Sequence, residues 1–101
     1  MAVLVQFEFP FEGPFGAELV QAARELAASI AQEPGLKWKI WIENEPARQS
    51  GGTYLFEDRA SAEAYVKKHS ARLSQFGVTH PRVSFFDVNE ELTRMTRGPV
   101  D

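Results

Sequence analysis

The chain of 101 residues contains no cysteine. Disulfides, thiolate nucleophiles and cysteine-ligated zinc or iron–sulfur sites are therefore excluded, and a chain without cysteine fits the reducing cytoplasm. No apolar run approaches the roughly 20 residues that a membrane span needs. The segment from Met1 to Glu8 also lacks the basic start of a signal peptide. The sequence therefore predicts a soluble cytoplasmic protein that does not bind membranes.

An excess of positive charge is also missing. The chain has 11 lysines and arginines against 14 aspartates and glutamates, a net charge of -3, and both signs are interspersed. Such a charge pattern provides no attraction toward phosphate or anionic lipid, so we expect protein and small-molecule partners and no nucleic acid. The length is typical of one domain with its own core, which we assign to residues 1–101.

The first half of the chain predicts a strand, a helix and a second strand. Apolar residues alternate from Val3 to Phe9, which is typical of a half-buried strand. From about Ala17 to Gln32 they recur every three or four residues, which is typical of an amphipathic helix. Pro34 and Gly35 end this helix, and the segment from Leu36 to Glu43 alternates again.

The second half repeats this order. The polar stretch from Glu45 to Gly52 predicts a long hairpin connection. The elements expected after it are a strand at Thr53–Phe56, a helix capped by Asp58 and running to Phe76 before Gly77, a strand from about Arg82 to Val88, and a short helix within Asn89–Arg97. The order βαββαβ predicts an α+β, ferredoxin-like fold with a four-stranded antiparallel sheet and both helices on one face.

Both tryptophans lie in the second strand. Trp38 and Trp41 are three residues apart and therefore point to opposite faces of a regular strand. Trp38 shares its face with Leu36, Ile40 and Ile42, which we expect to pack against the helices. Trp41 interrupts the other, polar face, and we expect it to lie at an interface with a second subunit.

Several short segments resemble the YdhR family of monooxygenases over nearly the whole chain. They are Glu12–Gly16, Gln32–Lys39, Gly51–Phe56, Lys68–Leu73 and Phe86–Glu90. The resemblance implies membership of the dimeric α/β-barrel group, similar to the antibiotic-biosynthesis monooxygenases, which includes cofactor-free monooxygenases of aromatic polyketides and quinols and also haem-degrading enzymes. It implies a homodimer in which two sheets face each other, with a pocket between the helices and the sheet of each subunit.

The candidate catalytic residues are His69, Tyr65 and Trp38. His69 and Tyr65 are four residues apart on the inward stripe of the second predicted helix, so both point toward the same part of the sheet. One interpretation is that His69 acts as a base or hydrogen-bond donor beside an aromatic pocket. The other is a core histidine that pairs with a carbonyl.

The candidate substrate-binding residues are Phe7, Phe9, Phe85 and Arg72. Each aromatic residue alone is typical of ordinary core packing, whereas several rings that converge with a histidine and a tyrosine indicate an apolar ligand pocket. Phe85 and Phe86 are adjacent, so the pattern leaves open which of them faces the helices.

These residues and the resemblance predict a cofactor-independent monooxygenase for a small aromatic substrate, quinol or polyketide-like. Without a metal, the substrate must become an electron-rich anion that reduces oxygen, and the protein must stabilise that anion. A non-catalytic carrier of an aromatic ligand is the alternative.

No metal site is expected, because His69 and His80 lack a neighbouring ligand cluster. Binding of haem or flavin is left open by the sequence. The βαββαβ order also occurs in RNA-recognition domains, but an acidic chain disfavours them.

Overall fold

The computed structural model describes all residues from 1 to 101. Its elements are β1 (Val3–Pro10), α1 (Gly16–Ile30), β2 (Leu36–Asn44), β3 (Gln49–Phe56), α2 (Arg59–Gln75), β4 (Arg82–Asp87) and α3 (Glu90–Met95). The four strands form one antiparallel sheet in the order β2-β3-β1-β4. The predicted α+β, ferredoxin-like fold is therefore confirmed. None of the helices has the length and apolar character needed to cross a membrane.

The main core lies between the sheet and the two long helices. Alternate residues of β1 and β3 face the helices, as the period of two requires. The buried members of this core are Val3, Val5, Phe7, Ile30, Tyr54, Phe56, Ala62, Tyr65 and Leu73. Phe85 packs against this core and is paired with Val5, whereas the adjacent Phe86 is paired with Leu4 on the other face. The helix-facing position of Phe85 is therefore settled by the register of β4.

The expected helix ends are present. The Asp58 carboxylate accepts a hydrogen bond from the Ser61 amide at 2.7 Å and caps α2. The Asn89 side chain accepts from the Leu92 amide at 3.1 Å and caps α3. Gly77 follows α2 with a φ of 82°, a backbone angle that favours glycine.

Strand β3 begins at Gln49, four positions before the predicted start at Thr53. Gly51 and Gly52 were expected in the hairpin connection, but both are paired within the sheet, and Gly52 lies between Phe7 and Trp41. A Cβ atom at Gly51 would overlap the carbonyl oxygen of Phe7. Glycine is needed at these positions because a side chain would not fit, and not because the chain turns there. The prediction of a long loop up to Gly52 was therefore wrong.

An irregularity in β2 reverses the predicted positions of the two tryptophans. Leu36 pairs with Phe56, but Trp38 pairs with Leu55, so one extra residue is accommodated between them. After this bulge, Trp38 shares the face of Leu55, and Trp41 lies on the helix-covered face. The prediction that Trp38 faces the helices and Trp41 a second subunit was therefore wrong, because a one-residue shift moves every later side chain to the other face.

Trp38 instead holds the C-terminal segment against the helix-free face. Its indole N–H donates to the carbonyl oxygen of Pro99 at 2.8 Å. Val100 is buried in a small second cluster with Ala2 and Leu55, against which Trp38 also packs. This cluster lies on the side of the sheet opposite to the main core.

Candidate functional site

A cavity of about 340 Å³ opens between α1 and the helix-covered face of the sheet. It exists because α1 lies away from the sheet along most of its length, so that Ile30 is its only buried residue. Most of the wall is apolar and includes Phe9, Phe11, Leu19, Leu26, Trp41 and Leu73. Its size is within the range of small-molecule sites, which is roughly 300–1,000 Å³.

The polar side chains of the cavity are Lys39, Ser50, Tyr54 and His69. The Ser50 hydroxyl donates to the carbonyl oxygen of Ile42, so it is already paired. The Lys39 ammonium lies 3.3 Å from the ring centre of Trp41 and 4.8 Å from that of Tyr54. It belongs to none of the five salt bridges of the chain. Lys39 therefore brings an uncompensated positive charge to an apolar cavity.

The pKa values of Lys39 and His69 are both lowered. Burial, followed by the positive charge of Arg72, lowers the pKa of Lys39 from 10.5 to about 7. Burial, followed by the charges of Lys39 and Arg72, lowers the pKa of His69 from 6.5 to about 3. In both cases the charged form is disfavoured because it would lie away from water or beside a like charge. His69 is consequently neutral at physiological pH.

Arg72 determines which nitrogen of His69 carries the proton. The Arg72 guanidinium donates to Nδ1 of His69, with N–N distances of 3.1 and 3.3 Å. Because arginine has only donors, Nδ1 must be the acceptor, and the proton of the neutral ring is on Nε2. His69 therefore presents an N–H donor. A nitrogen with so low a pKa is poorly suited to the role of a general base near neutral pH.

Two tyrosines form a buried pair beside His69. The Tyr65 hydroxyl donates to the Tyr54 oxygen at 3.1 Å. Burial raises the pKa of Tyr65 to about 12, and burial together with the neighbouring Tyr65 raises the pKa of Tyr54 further. Both hydroxyls stay protonated. Tyr54 lines the cavity, whereas Tyr65 lies behind it.

The other predicted site residues occupy different positions around the cavity. Phe9 lines it, and Phe7 is buried beneath it with its ring edge-on to His69 at 5.4 Å between ring centres. Arg72 is in contact with His69 but does not line the cavity. Phe85 lies under the guanidinium of Arg59, 4.9 Å from it, outside the cavity. Trp38 is on the opposite face of the sheet.

The cavity residues that sequence reasoning missed include Lys39, Tyr54 and Trp41, which lie together in its wall. A signal for two of them was present, because Lys39 and Trp41 are two residues apart and therefore share one face of the strand. Tyr54 lies in the short apolar run of β3 and could not be told from ordinary core residues.

No group of three or more histidine, aspartate or glutamate side chains is placed to hold a metal ion.

The chain was compared with known families and structures. The family model described as "Putative mono-oxygenase ydhR" matches residues 4–99. No curated protein matches the chain significantly.

Three solved structures have a similar fold. SnoaB, a cofactor-independent oxygenase from Streptomyces nogalater, has a TM-score of 0.62 and 16% identity, covering 87% of this chain and 93% of SnoaB. A protein titled as a putative antibiotic biosynthesis monooxygenase from Deinococcus radiodurans has a TM-score of 0.55 and 15% identity, with coverage of 88% and 93%. The structural-genomics protein YJCS has a TM-score of 0.65 and 13% identity, with coverage of 88% and 100%. At these identities the likeness shows the fold.

Proposed function

The chain belongs to the family described as putative mono-oxygenase ydhR, and from this premise we propose that it is a cofactor-independent monooxygenase. Its substrate is a small aromatic compound, quinol or polyketide-like, that binds in the cavity between α1 and the sheet. The similarity of the fold to SnoaB, a cofactor-independent oxygenase, supports the proposal.

The observation that carries the proposal is the grouping of Lys39, Tyr54 and His69 in a cavity whose wall is otherwise mostly apolar. A neutral histidine N–H, a protonated tyrosine hydroxyl and a lysine ammonium are all donors to an anionic oxygen. Their hydrogen bonds are stronger in apolar surroundings than in bulk water. The arrangement therefore favours the anionic form of a phenol or an enolisable ketone.

The reaction needs no bound oxidant other than molecular oxygen. The substrate loses a proton to solvent, and the resulting carbanion or phenolate transfers one electron to oxygen. Recombination of the two radicals forms a carbon–oxygen bond and a peroxide anion, which takes up a proton. The hydroperoxide loses water, which carries away the outer oxygen and the hydrogen of the same carbon, and leaves one oxygen atom in the product as a carbonyl. The protein's part is to bind the ring and to hold the anion by donors.

The test uses anthrone and a naphthoquinol as probes, with oxygen uptake corrected for the reaction without protein. Isotopically labelled oxygen gas should place one labelled atom in the product. We expect His69→Ala to lower turnover by about tenfold or more, since a positioned donor is worth at least that much. His80→Ala is the matched control, because His80 is an exposed histidine outside the cavity. Probes that bind and are released unchanged would contradict the proposed monooxygenase activity and indicate a carrier of aromatic ligands.

We also propose that the protein is a homodimer in which a second copy covers the face of the sheet opposite α1 and α2, beside the C-terminal segment that Trp38 holds there. Ile40 and Phe86 lie on this face with 54% and 53% of their surface exposed. Ile40 lies on β2 and Phe86 on β4, the two edge strands of the sheet. Large apolar residues exposed at both edges of one sheet face fit an interface with a second copy.

The dimer is tested by sedimentation of Ile40→Glu, which would bury a carboxylate at the interface and should dissociate the dimer. Val20→Glu is the matched control, since Val20 is also 54% exposed but lies on α1. An Ile40→Glu protein with the mass of the wild-type dimer would contradict this interface.

A further inference from the structure

The charged side chains that line the cavity are of one sign. None of its lining residues is an aspartate or a glutamate, and Lys39 is the only lysine or arginine among them. Arg72 adds a second positive charge directly behind His69. A cavity with two cations nearby and no carboxylate in its wall is complementary to a negatively charged group.

Gly52 on β3 provides the space in which the Lys39 side chain lies. A Cβ atom at Gly52 would be 2.6 Å from Cε of Lys39 and 3.0 Å from Cε1 of Tyr54. A side chain at position 52 would therefore displace Lys39, and glycine lets the lysine stem cross β3 toward the cavity. The amine thus reaches the cavity instead of extending to solvent, as a lysine on an edge strand ordinarily would.

An unpaired ammonium in this position is unfavourable without a ligand. Its partners are the ring faces of Trp41 and Tyr54, which attract a cation but neither accept a conventional hydrogen bond nor neutralise the charge. A ligand that carried its own negative oxygen would supply the missing counter-charge, and Nε2 of His69 would be a second donor to it. A neutral ligand of the same shape would leave the ammonium unpaired.

We propose that the cavity binds its aromatic ligand as a monoanion, a carboxylate or phenolate, whose oxygen pairs with the ammonium of Lys39. This inference rests on the proposed function only in taking the cavity as the ligand site. It requires no oxygen chemistry, so it can be tested by binding alone.

The probes are 1-naphthoate and its neutral analogue 1-naphthamide, which have the same ring system and differ in charge. Binding to the full chain is measured by calorimetry at about pH 6, where Lys39 is mostly protonated. We expect naphthoate to bind at least about tenfold more tightly than naphthamide, because hydrogen bonds to charged groups are worth that much or more. Equal affinities, or no binding of either probe, would overturn the proposal.

Three variants identify the residue responsible. Lys39→Met keeps most of the stem and removes the charge, so it should lose the preference for naphthoate and still bind naphthamide, which also shows that it is folded. Lys39→Arg should keep the preference. Lys67→Met is the control, since Lys67 is exposed on α2 and outside the cavity, and it should behave as the wild type. A preference that survives in Lys39→Met would overturn the assignment.

A pH series adds a second readout. Three titratable or charged groups face Lys39, namely Tyr54 on β3 and His69 and Arg72 on α2, and Tyr65 lies behind them. The other two elements around the cavity, β1 and α1, contribute apolar residues such as Phe9 and Leu19. Among Lys39, Tyr65 and His69, Lys39 is the one whose pKa, about 7, lies between pH 6 and 9. Naphthoate affinity should therefore fall above pH 7 in the wild type and stay level in Lys39→Met. A level profile in both proteins would contradict the pairing.

The two proposals can fail separately. Tight, Lys39-dependent binding of naphthoate without oxygen uptake on anthrone or naphthoquinol would retain the anion site and contradict the monooxygenase. Oxygen uptake together with equal affinity for both naphthalene probes would do the reverse.

Discussion

Replacing Lys39 by methionine should make the protein more stable, and by an amount that depends on pH. The ammonium has no carboxylate partner, and burial lowers its pKa from 10.5 to about 7. Between these two values the unfolded chain binds a proton that the folded chain does not hold. Stability of the wild type therefore rises with pH across this interval, and the full destabilisation by Lys39 is present below about pH 7.

The size of the effect follows from the same two values. At about 1.4 kcal/mol for each pH unit, the lowered pKa of Lys39 corresponds to at most about 5 kcal/mol of destabilisation. Lys39 is only half-buried, so solvent screening makes the destabilisation smaller than this upper limit. Methionine has a similar shape and packs well in an apolar cavity. We therefore expect Lys39→Met to gain about 2 kcal/mol at pH 6.

Urea unfolding at one protein concentration checks this at about pH 6, 8 and 10. The difference between Lys39→Met and wild type should be largest at the lowest pH and should nearly vanish as the pH approaches 10.5, where the lysine is neutral in both states. Lys67→Met should match the wild type throughout. A Lys39→Met protein that is no more stable at pH 6, or a gain that is constant with pH, would refute the reasoning.

Three further predictions concern the residues around the cavity. Tyr65→Phe removes the buried donor to Tyr54 and should lower the free energy of unfolding by about 1–2 kcal/mol; an unchanged urea midpoint would contradict this. Because burial lowers the pKa of His69 from 6.5 to about 3, the unfolded chain binds a proton in this interval that the folded chain does not, so stability should fall as the pH is lowered through it. His69→Gln should show a shallower fall in the same titration. Trp38→Phe loses the donor to Pro99 and should speed hydrogen exchange of the C-terminal amides, while naphthoate affinity stays the same; a changed affinity would argue against its position outside the cavity.

The strength and the limit of local patterns are both visible in β2. Alternation correctly identified a strand, and the predicted segment from Leu36 to Glu43 differs from β2 by one residue at its end. The facing of both tryptophans nevertheless came out wrong, because the bulge before Trp38 depends on how this strand pairs with Leu55 and Phe56. Pairing across a sheet is a long-range property, and a shift of one residue reverses the face of all residues that follow.

A similar limit applies to the cavity. The helical spacing of Tyr65 and His69 correctly placed both on the buried stripe of α2. The spacing could not show that Arg72 donates to His69 and fixes its proton on Nε2. This hydrogen bond depends on the rotamers of both side chains, which the sequence does not specify. Nor could it show the ammonium of Lys39 beside them, because this side chain arrives from another element.

By itself, the sequence determined the order of the elements, the caps at Asp58 and Asn89 and the ferredoxin-like class. The caps and the periodic patterns behind this order involve residues that are close together in the sequence. The tertiary structure alone decided that Gly52 makes room for the Lys39 side chain, that Trp41 is in the wall of a cavity and that Lys39 lies there without a counter-charge. These properties arise from burial, strand register and charges brought together from distant segments. The physical reason is that the pKa and the partners of a side chain are set by what surrounds it in space, and only the packed fold specifies that.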